Sequence, residues 1–113
     1  MKWRPGQREA FDAELSAAAS DEARGEARPA FAHLERAHIL GQRSTWAHAS
    51  VHWRMLRFGW RRRDVREVAG QVPRILAALT KSMIWVPTGN TGGVDVHPLR
   101  PMPIPHDLRR WLE

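Results

Sequence analysis

The stretch PAFAHLERAHILGQRSTWAHASVHWRMLRFG, residues 29–59, decides the fold. Its first part sets Ala30, Phe31, Leu34, Ala37 and His38 on one face at the three- and four-residue steps of an amphipathic helix, and its second part does the same with His48, Val51, His52, Met55 and Phe58. Gly41 ends the first helix and Ser44 or Thr45 caps the next, so only about four residues separate them and the two are antiparallel neighbours. Working outward, Pro5 suits a first helical turn, and Phe11, Leu15, Ala18 and Ala19 predict a helix over about 6–23 that stops near Gly25. On the other side Gly59 marks an end and Asp64 is an N-cap. Val65, Val68, Ala69, Val72, Ile75, Leu76, Leu79 and Met83 then form an apolar stripe, with Gly70 and Pro73 predicting a kink, and the helix closes at Trp85-Val86-Pro87.

Beyond that point the composition changes. TGNTGG (88–93) is turn chemistry, and HPLRPMPIP (97–105) spaces prolines so closely that only extended or polyproline II backbone is comfortable. Trp85, Val86, Val94, Val96, Leu99, Met102, Ile104 and Leu108 supply about one apolar anchor every three residues, which a disordered linker would lack. Pro105, Asp107 and residues 108–112 add one terminal turn, with Trp111 as an anchor. No strand-like alternation occurs. The expectation is a single all-α domain over 1–113: a four-helix antiparallel hairpin bundle with its helical core at about 6–85, and an irregular proline- and glycine-rich C-terminal arm at about 86–113. Gly25 and Gly59 stand 34 residues apart, the period of tetratricopeptide repeats, and AFAHLERAH resembles the second helix of such a repeat, although Pro73 falls where the second copy should be regular. That resemblance implies stacked helical hairpins.

A chain of 113 residues with 42% hydrophobic and 27% charged composition suits one globular domain and disfavours disorder. It has no cysteine, so any metal site must be built from His, Asp and Glu. MKWRPGQREAF carries charges where a signal peptide needs an apolar stretch, and the longest fully apolar run is Ile75 to Leu79. These features predict a cytoplasmic protein with no membrane partner. The formal +6 belongs wholly to residues 44–113, where eleven bases face five acids; residues 1–43 balance seven against seven.

The candidate chemistry lies in the deciding stretch. His48 and His52 are i and i+4 on one helix face, the spacing at which two imidazoles can hold one ion. With the turn centred near Gln42 and Arg43, His38 lies five residues before and His48 five after, at one height, and Glu35 comes level with His52. Glu35, His38, His48 and His52 are therefore a candidate ligand set for Zn(II) or another divalent ion, with affinity expected to fall as pH drops through about 6. The competing reading makes the three histidines hydrogen-bonded residues at the core edge and pairs Glu35 with Arg36 or Arg43 on the surface. Glu-x-x-His occurs once, so a di-iron bundle lacks its other half.

WRMLRFGWRRRDVR, residues 53–66, offers a second candidate surface: Trp53, Trp60, Arg54, Arg57, Arg61, Arg62 and Arg63 mix charge with stacking rings. It fits a helical protein–protein interaction module that needs no metal, and its tryptophans together with the arm are compatible with a homodimer. Nucleic acid is the weaker reading, because no winged-helix pattern or zinc-finger spacing accompanies it. GNTGG lacks the Lys-Ser/Thr and following helix of a phosphate loop and reads as a structural turn. Enzymatic activity has no positive support, since neither a nucleophile elbow nor paired carboxylates are present.

The runs HLERAHILGQRSTWAHASVHWRML, RRRDVREVAGQVPRILAAL, WVPTGNTGGVDV and RPMPIPHDL resemble a small bacterial family known as domain of unknown function 3703, over nearly the whole chain after residue 10. Members of that family look like companions of heavy-metal resistance genes, including cadmium or zinc efflux systems. The resemblance therefore implies the metal reading of His38, His48 and His52, while implying no ligand assignment.

Overall fold

A computed structural model describes residues 3–81 and 86–113. Its elements are α1 (Gln7–Ala23), α2 (Ala27–Gly41), α3 (Thr45–Arg61) and α4 (Val65–Lys81), followed after an irregular segment by a 3₁₀ turn (His106–Leu108) and α5 (Arg109–Leu112). No strand occurs among the described residues. The expected places of Met83 and Trp85 lie outside them. The extensive helix–helix packing joins sequence neighbours: α1 on α2, α2 on α3, and α3 on α4.

Local chemistry accounts for the boundaries. Ser44 adopts extended backbone and its hydroxyl accepts from the Ala47 N–H, which starts α3; the Asp64 carboxylate accepts from the Glu67 N–H at 3.0 Å, which starts α4. Gly59 does not end α3 as expected. It lies inside the helix, where a Cβ would stand 3.0 Å from that of Glu67, so glycine permits the close approach of α4, and the left-handed residue falls on Arg63 at φ 57°. Helix α4 runs on through Pro73.

The core gathers Phe11, Ala30, Leu34, Ala37, Leu40, Val51, Met55 and Phe58 from α1, α2 and α3, and Leu108 reaches it from the C-terminal turn. Trp111 packs against it in part, as its expected anchoring role requires. Arg36 ties the ends of the chain together, donating to Glu14 at 2.8 Å and to both carboxylate oxygens of Asp107.

Helix α4 departs from its sequence reading. Much of the stripe expected to enter the core faces outward, with Val65 at 79% exposure and Leu76 at 61%, and Val72 and Leu79 also exposed, while Val68 and Ile75 are half-buried. The buried residues of α4 are instead Glu67, Gln71 and Ala78. Its polar face is turned inward because it has polar work to do there.

Candidate metal centre

Helix α2 contributes His38 and helix α3 contributes His48 and His52, all three buried. Their Nε2 atoms form a near-equilateral triangle: 3.0 Å from His38 to His52, 3.0 Å from His48 to His38 and 3.1 Å from His52 to His48. Three side chains from two helices thus meet at one point, and among the described residues this is the group of His, Asp and Glu side chains able to hold an ion.

The tautomers follow from the outer contacts. His38 Nδ1 lies 2.7 Å from the Asn90 carbonyl oxygen, an acceptor, so Nδ1 carries the proton and Nε2 a lone pair. Gln71 donates its amide NH₂ to Glu67 and to the Gly92 carbonyl, which assigns its Oε1 to His52 Nδ1 at 2.6 Å and makes that nitrogen the donor. Two bare Nε2 lone pairs consequently face one another at 3.0 Å. His48 can supply one proton at most to the three mutual contacts, and its own buried Nδ1 has no partner among the described residues.

Burial keeps these rings neutral. It lowers His48 to about 4, and it lowers His52 to about 3 with help from His48; His38 is depressed well below the ordinary value by burial first and then by His52 and His48. Neutral imidazoles are the form that binds metal.

Glu35 does not join the triad. Its half-buried carboxyl is pushed up to about 7, by burial first and then by the neighbouring Asp95 carboxylate, with Glu67 adding to the effect. The i, i+3 offset from His38 turns it away from the imidazole nitrogens, toward the segment after α4. It does not pair with Arg36 either, whose partners are Glu14 and Asp107. His33 bonds to Glu14 at 2.6 Å, and the exposed His97 accepts from the Leu99 N–H.

The segment GNTGG supplies the outer shell. Gly92, at φ 86°, lies so close to His38 that a Cβ would sit 2.6 Å from the ring, and Asn90 is buried with its amide donating to the carbonyls of His97 and Arg100. Gln42 donates to the Pro87 carbonyl at 2.9 Å. Gln71, Asn90, Gly92 and Gln42 were missed in the sequence because glutamine, asparagine and glycine carry no ligand signature; the cue available was a turn-rich segment of fixed composition following a histidine-bearing helix pair.

The Arg/Trp surface is separate from this centre. Trp53 and Trp60 are 53% and 72% exposed, and Arg54, Arg57, Arg61, Arg62 and Arg63 are exposed as well. Arg61 is bound to Glu22 through two nitrogens at 2.6 and 2.7 Å, and Arg62 stacks over Phe58.

Residues 5–112 match the family described as a protein of unknown function, DUF3703. The chain belongs to that family. No curated protein and no solved structure matches it. Among the described residues of this family member, no helix is long and apolar enough to cross a membrane.

Proposed function

We propose that the protein binds one borderline divalent ion, Zn(II) or Cd(II) before Ni(II) or Co(II), through the Nε2 atoms of His38, His48 and His52. The observation that carries this reading is the pair of bare lone pairs at 3.0 Å: neighbouring protein groups hold both Nδ1 protons, and a cation is what relieves the repulsion at the centre. The chemistry of the donor set agrees, since three neutral nitrogens without a thiolate or carboxylate suit a borderline ion. Glu35 is not among the ligands, and an external ligand completes the shell. The setting supports four helices arranged as antiparallel hairpins, comparable to tetratricopeptide pairs, with the proline- and glycine-rich arm laid over them. A cytoplasmic role in buffering or handing on metal for heavy-metal resistance fits an exchangeable site of this kind.

Calorimetric titration of metal-free protein with Zn(II) is expected to show one site, lost in a His48→Ala, His52→Ala double variant. Equal heats from both proteins, or none from either, would defeat the proposal. A bound ion also stabilises by mass action, about 2.7 kcal/mol at a hundredfold excess over Kd, so thermal melts give a second readout.

A second reading, an interaction module, is favoured by the outward face of α4. Trp60, Arg63, Val65 and Val68 line one groove of about 380 Å³, continuous in sequence with the arginine run. An acidic partner suits it best. Sedimentation equilibrium tests the homodimeric form of this reading: association abolished by Leu76→Lys supports it, and a monomer at high concentration removes it.

A further inference from the structure

Three imidazoles of a regular tetrahedral site, each about 2.0–2.1 Å from the ion, stand about 3.3–3.4 Å apart. Here the nitrogens are 3.0–3.1 Å apart. An ion reached by all three therefore sits farther out of their plane than in a regular site, with angles at the metal of about 95°, and its side away from the rings is left without a protein nitrogen.

The three rings also border a space. A cavity of about 80 Å³ is lined by all three histidines together with Gln42 and Arg74, and its remaining walls include Ala77, Pro87 and Leu99. Among the described residues Arg74 is the charged member of this wall. Its terminal nitrogens donate to the carbonyls of Gly70 at 2.8 Å and Val96 at 3.0 Å, while its Nε–H is buried with no acceptor among the described residues. A buried guanidinium donor without a partner costs free energy unless something fills the place. The carboxylates that act on Arg74 are Glu67 and Asp95, and neither belongs to the ligand group; Glu67 is taken up by Gln71 and the Val94 N–H. A divalent ion on three neutral rings thus brings charge that no protein ligand cancels.

Resting on the metal reading, we infer that the centre takes a small monovalent anion as its exchangeable fourth ligand, held between the ion and the Arg74 guanidinium. The class is halide, pseudohalide or hydrogencarbonate. Strongly hydrated dianions such as sulfate are disfavoured by walls that offer little to replace their water. The step is a ligand substitution: a bound water leaves as a lone pair of the anion enters, and no oxidation state changes.

The test uses the full chain loaded with Co(II), whose visible bands report its coordination, titrated with sodium azide at constant ionic strength. The expected result is a saturable change in the bands, absent with sulfate. In Arg74→Gln cobalt should bind with the same stoichiometry, while azide affinity drops about tenfold or more. Arg74→Lys keeps a charge on the cavity wall and should fall between, which guards against a variant that merely disturbs the loop. Cobalt bands that ignore azide, or an identical azide response in Arg74→Gln and the parent, overturn the inference and leave the metal reading standing. Failure to acquire cobalt bands at all overturns the inference, and failure to take up Zn(II) as well overturns the metal reading.

Discussion

His38 has its Nδ1–H held by the Asn90 carbonyl and its ring pressed by Gly92, so its orientation depends on residues more than fifty positions away. Gly92→Ala combines a left-handed backbone with a 2.6 Å clash and is expected to cost about 2–4 kcal/mol in urea unfolding and to weaken zinc binding. Gly25→Ala is the control: it shares the positive φ but meets nothing within 4 Å, and should cost about 1 kcal/mol with no effect on zinc. The pH dependence follows from the same burial. His48 and His52 have folded values of about 4 and 3, below the ordinary 6.5, so the folded state binds fewer protons than the unfolded one. Their contribution to stability is complete above about 6.5 and is lost as pH falls toward those values, at up to about 1.4 kcal/mol per pH unit for each ring. Glu35 acts in the opposite sense: raised to about 7, its contribution is complete below about 4.5 and lost as pH rises through 7. Three histidines outweigh the raised Glu35 and Glu67, so metal-free protein should lose stability from pH 6.5 to 4.5 in urea melts, more steeply in Glu35→Gln. A flat profile would argue against a neutral buried triad. Zinc occupancy should correspondingly survive at pH 5.5, below the fall at about pH 6 that ordinary imidazoles lead one to expect.

Helix α4 shows where an amphipathic pattern misleads. The stripe Val65, Val72, Leu76 and Leu79 has the right period, and the helix is where that period puts it; what the pattern cannot tell is that Gln71 on the other face has buried partners in His52 and Gly92, and that Glu67 accepts from Gln71. Apolar surface normally wins the core, but leaving His52 without its acceptor would cost about 1–3 kcal/mol and the orientation of a ligand besides. Leu76→Lys is therefore expected to change stability by no more than about 0.5 kcal/mol, whereas Gln71→Leu, a change toward better hydrophobicity, should destabilise the fold and weaken zinc binding by about ten- to a hundredfold. Reversal of that order would mean that the stripe is the buried face after all. The helices α1, α2 and α3, the terminal turn and the three histidines were legible because short turns and i, i+4 spacing reduce their placement to arithmetic. Glu35 was misplaced because a 60° offset on one helix matters as much as its level. Asn90 and Gly92 were illegible because their roles arise only when a segment remote in sequence folds back.

At the scale of the molecule, residues 86–113 join the centre to the core: Asn90 and Gly92 touch the triad, Arg74 donates to Val96, Arg36 bonds to Asp107, and Leu108 is sunk among the helices. Deleting residues 88–113 should lower the melting temperature of metal-free protein by about 10 °C or more and remove tight zinc binding even though all three histidines remain. An unchanged melt would show that the helices stand without this segment. The placement of Pro87, Asn90 and Gly92 around the triad also bears on time rather than affinity. An ion bound on the three rings would have this backbone across part of its way out, so its residence would depend on the frequency of local opening as well as on the metal–nitrogen bonds. A partner that grips the C-terminal segment would then set the moment of release without touching a ligand.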